Sequence, residues 1–132
     1  MSIAIDTSAL VAVVFGEQDA ALYAGSMLTN VGDCMISAAT LLEASIVAEA
    51  KQGPAATQDL RSLVEQIGAE IVPVDAATSS VAFAAWQRFG KGRHPAALNF
   101  GDCLAYALAK AVGAPLLYKG DDFAQTDIPS AL

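Results

Sequence analysis

The sequence predicts an α/β fold in which a central parallel sheet is covered by helices on both faces. Short apolar, strand-like runs alternate along the chain with longer helix-compatible segments, and Gly, Pro, Asn and Asp punctuate the junctions. The 132 residues, 55% of them hydrophobic, suffice for one domain over residues 1–132 with a buried core.

Ser2 to Asp6 reads as a short buried strand that runs into Thr7-Ser8 and a helix over Ala9 to Phe15. Glu17 to about Leu28 has helical composition, and Asn30-Val31-Gly32-Asp33 breaks it. Cys34 to Ser37 is the next strand. Ser37 is placed to cap a helix over Ala38 to Gln52, which Gly53-Pro54 ends, and a further helix runs from Pro54 to Ile67 with Gly68 as its stop. Glu70 to Val74 alternates like a strand, and Asp75 opens an Ala-rich helix over Ala76 to Phe89. The Gly90 to Pro95 stretch is a loop. From Asn99 to Val112, Phe100, Cys103, Leu104, Ala107, Leu108 and Ala111 share one helical face, and Gly113-Ala114-Pro115 closes it. Leu116 to Lys119 is the last strand. Trp86 and Tyr106 fall at positions that suit core packing, and Cys34 and Cys103, far apart in apolar surroundings, suit buried free thiols.

No apolar run approaches the roughly 20 residues that span a bilayer. The N-terminus has no basic leader and carries a carboxylate at its sixth residue, so a cytoplasmic protein is expected. A net charge of −7 argues against broad phosphate neutralisation as a binding mode. It leaves room for an acidic metal centre, because a bound divalent cation reverses the local sign.

Functional sites in open α/β sheets collect beyond the carboxyl ends of the strands. Asp6 follows the first strand, Glu43 lies early in the helix after the second, Asp102 opens the helix that feeds the last, and Asp121-Asp122 follow that last strand. Taken singly each has an ordinary structural use: Asp6 as a helix cap, Glu43 as an exposed stripe, Asp102 as a partner of the helix dipole, Asp121-Asp122 as a turn. Together they converge on one rim. Hard oxygen donors without His or Cys favour Mg2+ or Mn2+, and such a centre suits phosphodiester hydrolysis. Arg88, Lys91, Arg93 and His94 surround one loop and are candidates for holding a nucleic-acid backbone.

The segments IAIDTSALVAVVFGE, ISAATLLEASIV, LNFGDCLAYALAKAVGAPLLYKGDDF and TDI, in this order over nearly the whole chain, resemble PIN-domain ribonucleases, in particular VapC-like toxins of type II toxin–antitoxin pairs. The resemblance implies a PIN-like three-layer α/β/α fold and a Mg2+- or Mn2+-dependent endoribonuclease. Asp6, Glu43 and Asp102 would be metal ligands, with Asp122, slightly preferred over Asp121, as the fourth acid. It further implies Ser8 as a supporting hydroxyl, Asn99 as the residue that orients Asp102, an RNA substrate, a homodimer and a VapB-type antitoxin.

Two other readings compete. A phosphomonoesterase of the haloacid-dehalogenase type also places Asp after its first strand, and Lys119-Gly120-Asp121 imitates its later motif, but Ser8 stands where that chemistry needs a second Asp. The other is an interaction domain that binds metal without cleaving anything.

Overall fold

A computed structural model describes residues 2–132. Its elements are β1 (Ile3–Ile5), α1 (Thr7–Val14), α2 (Ala20–Thr29), β2 (Cys34–Ser37), α3 (Ala38–Gln52), α4 (Pro54–Gln66), β3 (Glu70–Val72), α5 (Ala76–Phe89), α6 (Phe100–Val112) and β4 (Leu116–Leu117), with a 3-10 turn at Phe123–Gln125. The four strands pair in parallel in the order β3-β2-β1-β4, with Ile3 opposite Cys34 and Ala4 opposite Leu116.

The two-residue period of β1 sorts the core into two layers. Ile3 and Ile5 enter the cluster that holds Leu10, Ala44 and Leu60 of α1, α3 and α4. Ala4 points the other way, into the cluster built from Ala82, Ala85, Leu104 and Leu108 of α5 and α6. Each fully buried Leu or Ile contributes about 1.5–3 kcal/mol. Ser37 caps α3 through the Ala39 N–H, and Gly113, in the left-handed region at φ +67°, turns α6 back toward β4. Cys34 and Cys103 are buried free thiols, and burial pushes Cys103 up to about 11, which keeps it neutral.

Several boundaries differ from the sequence reading for identifiable reasons. α1 begins at Thr7, two residues early, because the Asp6 carboxylate caps it. α2 begins only at Ala20, because Glu17 and Asp19 are drawn away to Lys119 at 2.7 and 2.9 Å. β3 stops at Val72 before Pro73, and β4 stops at Leu117, since the Lys119 N–H donates to Ser8 Oγ.

Two packing expectations need correction. Phe100 is 83% exposed and Ala111 also faces out, so the buried face of α6 runs instead through Cys103 to Ala109. Trp86 is 38% exposed: it stacks on Phe83 and carries the Arg93 guanidinium over its ring. Tyr106 is buried as expected. Among the described residues no helix is long and apolar enough to cross a membrane.

Candidate active site

β1 has β2 and β3 on one side and β4 on the other, so the chain reverses its winding direction between β1 and β4. Such a switch point leaves a crevice beyond the carboxyl ends of the strands. Asp6 is the first residue after β1, at that end of the sheet, and is 3% exposed.

The two oxygens of Asp6 are used differently. Oδ2 accepts the Ser8 N–H at 3.0 Å and the Ser8 hydroxyl at 2.6 Å, the helix-capping role. Oδ1 is buried and has no hydrogen-bond partner among the described residues. An orphaned carboxylate oxygen is costly to bury unless a cation compensates it. Burial raises the Asp6 pKa above the ordinary carboxylate value; the Ser8 hydrogen bonds oppose that rise, and the Glu43 charge adds to it.

Asp102 is the third residue of α6. Its Oδ2 accepts the Asn99 N–H at 3.0 Å while Asn99 Oδ1 accepts the Asp102 N–H at 2.9 Å, a reciprocal capping box. Burial pushes Asp102 up to about 6; the hydrogen bond from Asn99 opposes this, and the charges of Asp6, Asp122 and Glu43 reinforce it. The four acids thus act on one another electrostatically at a single locus. Glu43, half-buried on α3, accepts from Thr7 Oγ1 at 2.5 Å. Asp122 and Asp121 lie exposed beyond β4.

These residues suit a divalent cation. The donors are all carboxylate oxygens, one of them is buried without a hydrogen-bond partner among the described residues, and their charges repel one another. Among the described residues no three acidic, His or Cys side chains are drawn to metal-ligating spacing. Each of the three carboxylates is held by its own donor: Asp6 by Ser8, Glu43 by Thr7 and Asp102 by the Asn99 N–H.

Positive charge is spent elsewhere. Lys119 Nζ bridges Glu17 and Asp19, and those bonds raise its pKa. Of the loop residues, Arg88 pairs with Asp127 at 3.4 Å, Arg93 lies on Trp86, and His94 Nδ1 accepts the Ala96 N–H at 3.0 Å. Lys91 is exposed. Sequence reasoning missed Thr7, whose partner lies 36 residues away, and Gly101, beside Glu43; neither contact leaves a local signal.

Residues 3–129 match the family model described as PIN domain. The chain is 44% identical over 124 residues to Ribonuclease VapC of Mycolicibacterium smegmatis, covering 94% of this chain and 95% of that one. It is 43% identical over 129 residues to Ribonuclease VapC28 of Mycobacterium tuberculosis, covering 97% and 96%. Among solved structures, Mycobacterium tuberculosis VapC20, described as a sarcin-ricin loop cleaving toxin, superposes with TM-score 0.80 at 17% identity over 96% of both chains. A toxin–antitoxin complex from Klebsiella pneumoniae gives 0.72 at 19% identity, over 96% of this chain and 93% of that one. With a parallel sheet, acids gathered near its switch point and relatives matched almost end to end, this chain belongs to the PIN-domain family, as one of its VapC ribonucleases.

Proposed function

We propose that this VapC ribonuclease, an endoribonuclease toxin of a toxin–antitoxin system, cleaves RNA with Mg2+ or Mn2+ held by Asp6, Glu43 and Asp102, with Asp122 as the fourth acid. The observation that carries the reading is the buried, unpartnered Asp6 Oδ1 at the centre of mutually repelling carboxylates. A cation there supplies Lewis acidity toward the phosphoryl group and toward an attacking water. The chain supplies the orientation. Ser8 donates to Asp6 and is itself fixed by the Lys119 N–H, so one Asp6 oxygen is tied down while the other is left for the ligand. Asn99 holds Asp102 in the same manner. Asp122 is preferred over Asp121 because its charge acts on Asp102.

Lys91 and Arg93, with Arg88 and His94 beside them, are proposed to steady the RNA backbone next to this acidic rim. The acidic crevice suits a basic side chain of a VapB-type antitoxin, which would compensate the same charges a metal does. A homodimer is favoured by an apolar groove of about 780 Å3 between α3, α5 and α6. It is flanked by Leu42, Phe83 and Phe100, which are 61%, 60% and 83% exposed. The single domain, residues 1–132, is proposed to act in the cytoplasm, where RNA is at hand and thiols stay reduced.

The test is cleavage of a structured RNA pool by the purified chain, freed of partners, in Mg2+, Mn2+ or EDTA, beside Asp6→Asn and Asp102→Asn. Metal-dependent cutting that both variants lose is expected. Cutting that survives EDTA, or survives both substitutions, would overturn the proposal. Metal binding with no cleavage of any RNA would favour the non-catalytic interaction domain.

A further inference from the structure

Glu43 projects from α3 into the space between α1 and α6, the helices that begin at the other two acids. On the α1 side, Thr7 is buried, and its Oγ1 lies 2.5 Å from Glu43 Oε1 and 3.4 Å from the Thr40 carbonyl oxygen. A hydroxyl has one proton to give, and these distances assign it to Glu43, at the length of a charge-assisted O–H···O bond. On the α6 side stands Gly101. A Cβ there would lie 2.3 Å from Glu43 Oε2 and 2.7 Å from both Cδ and Oε1. Gly101 sits within α6 with φ outside the positive region that favours glycine. The backbone therefore does not require glycine, and alanine would suit the helix better. What the glycine provides is room for a carboxylate.

We infer that Thr7 and Gly101 are positioning residues that confine the Glu43 carboxylate between them and so present it to a divalent cation beside Asp6 and Asp102. The inference rests on the proposed role of Glu43 as a metal ligand. Thr7 fixes one oxygen by donating to it. Gly101 leaves the other oxygen a place directly against the backbone that carries Asp102. The two act on the same group from opposite sides, so losing either lets the carboxylate drift or pushes it out.

The experiment is Mn2+ titration calorimetry on the full-length chain, with thermal melts in EDTA, for wild type, Thr7→Val, Thr7→Ser, Gly101→Ala, Glu43→Gln and the Thr7→Val/Glu43→Gln double variant. Thr7→Val and Gly101→Ala should each weaken Mn2+ binding about tenfold or more, the usual cost of losing a group that orients a metal ligand. Thr7→Ser should restore most of the affinity, and the double variant should bind no more weakly than Glu43→Gln alone. Gly101→Ala should melt in EDTA no lower than wild type, which separates positioning from folding and keeps the test alive if Thr7→Val folds poorly. If Glu43→Gln weakens binding while Thr7→Val and Gly101→Ala bind like wild type, the positioning inference fails and the ligand role of Glu43 stands. If Glu43→Gln binds like wild type, the ligand role itself fails and takes the inference with it.

Discussion

Replacing Asp102 by Asn should make the metal-free protein more stable while abolishing cleavage. Folding raises the Asp102 pKa from its ordinary 3.8 to about 6, through burial first and then the charges of Asp6, Asp122 and Glu43. A carboxyl whose pKa is raised by folding favours the folded state fully below about 3.8. It loses that contribution as pH rises through about 6, so at neutral pH the fold carries an ionised group it disfavours. A shift of roughly two units corresponds to about 3 kcal/mol at about 1.36 kcal/mol per unit. Water still reaches this half-buried side chain, which reduces the effect to about 1 kcal/mol. Asn keeps the shape and an oxygen that can still accept the Asn99 N–H, so the helix cap survives. The expected gain in melting temperature is about 3 °C in EDTA at pH about 7, shrinking toward zero as pH falls toward about 4. Saturating Mn2+ should reverse the order, since ligand binding to the folded state stabilises wild type and acts far less on the variant. Calorimetric melts in EDTA and in Mn2+ across that pH range measure all three effects. A variant less stable than wild type in EDTA at neutral pH, or a difference that ignores pH, would refute the reasoning.

Asn99→Ala removes one half of the α6 capping box and should cost about 1 kcal/mol in urea unfolding, while its loss of cleavage exceeds what that destabilisation explains. Asp127 accepts from Tyr106 at 2.6 Å and Lys110 at 2.9 Å and ties the C-terminal segment to α6. Asp127→Ala should therefore lower stability by about 1 kcal/mol and bring the Tyr106 phenol, held at about 12 by burial first and by Asp127 second, only part of the way back toward its ordinary 10, read by absorbance titration. Phe83→Glu with Phe100→Glu should convert the proposed dimer to a monomer in light scattering; an unchanged mass would remove the apolar face from the account.

Where the acids fall relative to the sheet was legible because period and punctuation locate the strand ends: Asp6 follows β1 and Asp121-Asp122 come after β4. What sequence could not divide was the use of Asp6: capping and ligation looked like alternatives, whereas in the structure Oδ2 takes the cap and Oδ1 is buried with no hydrogen-bond partner among the described residues. The elements read least well were those set by distant contacts. Glu17 and Asp19 read as helix, yet Lys119, a hundred residues on, holds them outside α2. Phe100 and Trp86 read as core because periodicity finds an apolar face without telling whether this chain or another covers it. Thr7 and Gly101 were invisible because their meaning lies in Glu43, on another helix.

The most direct test of the carboxylate centre is anomalous diffraction from crystals of wild type and of Asp6→Asn grown with Mn2+. The account predicts a Mn2+ peak enclosed by Asp6, Glu43 and Asp102 in the wild type and lost from the variant. A peak elsewhere on the chain, or one that Asp6→Asn leaves in place, would contradict it.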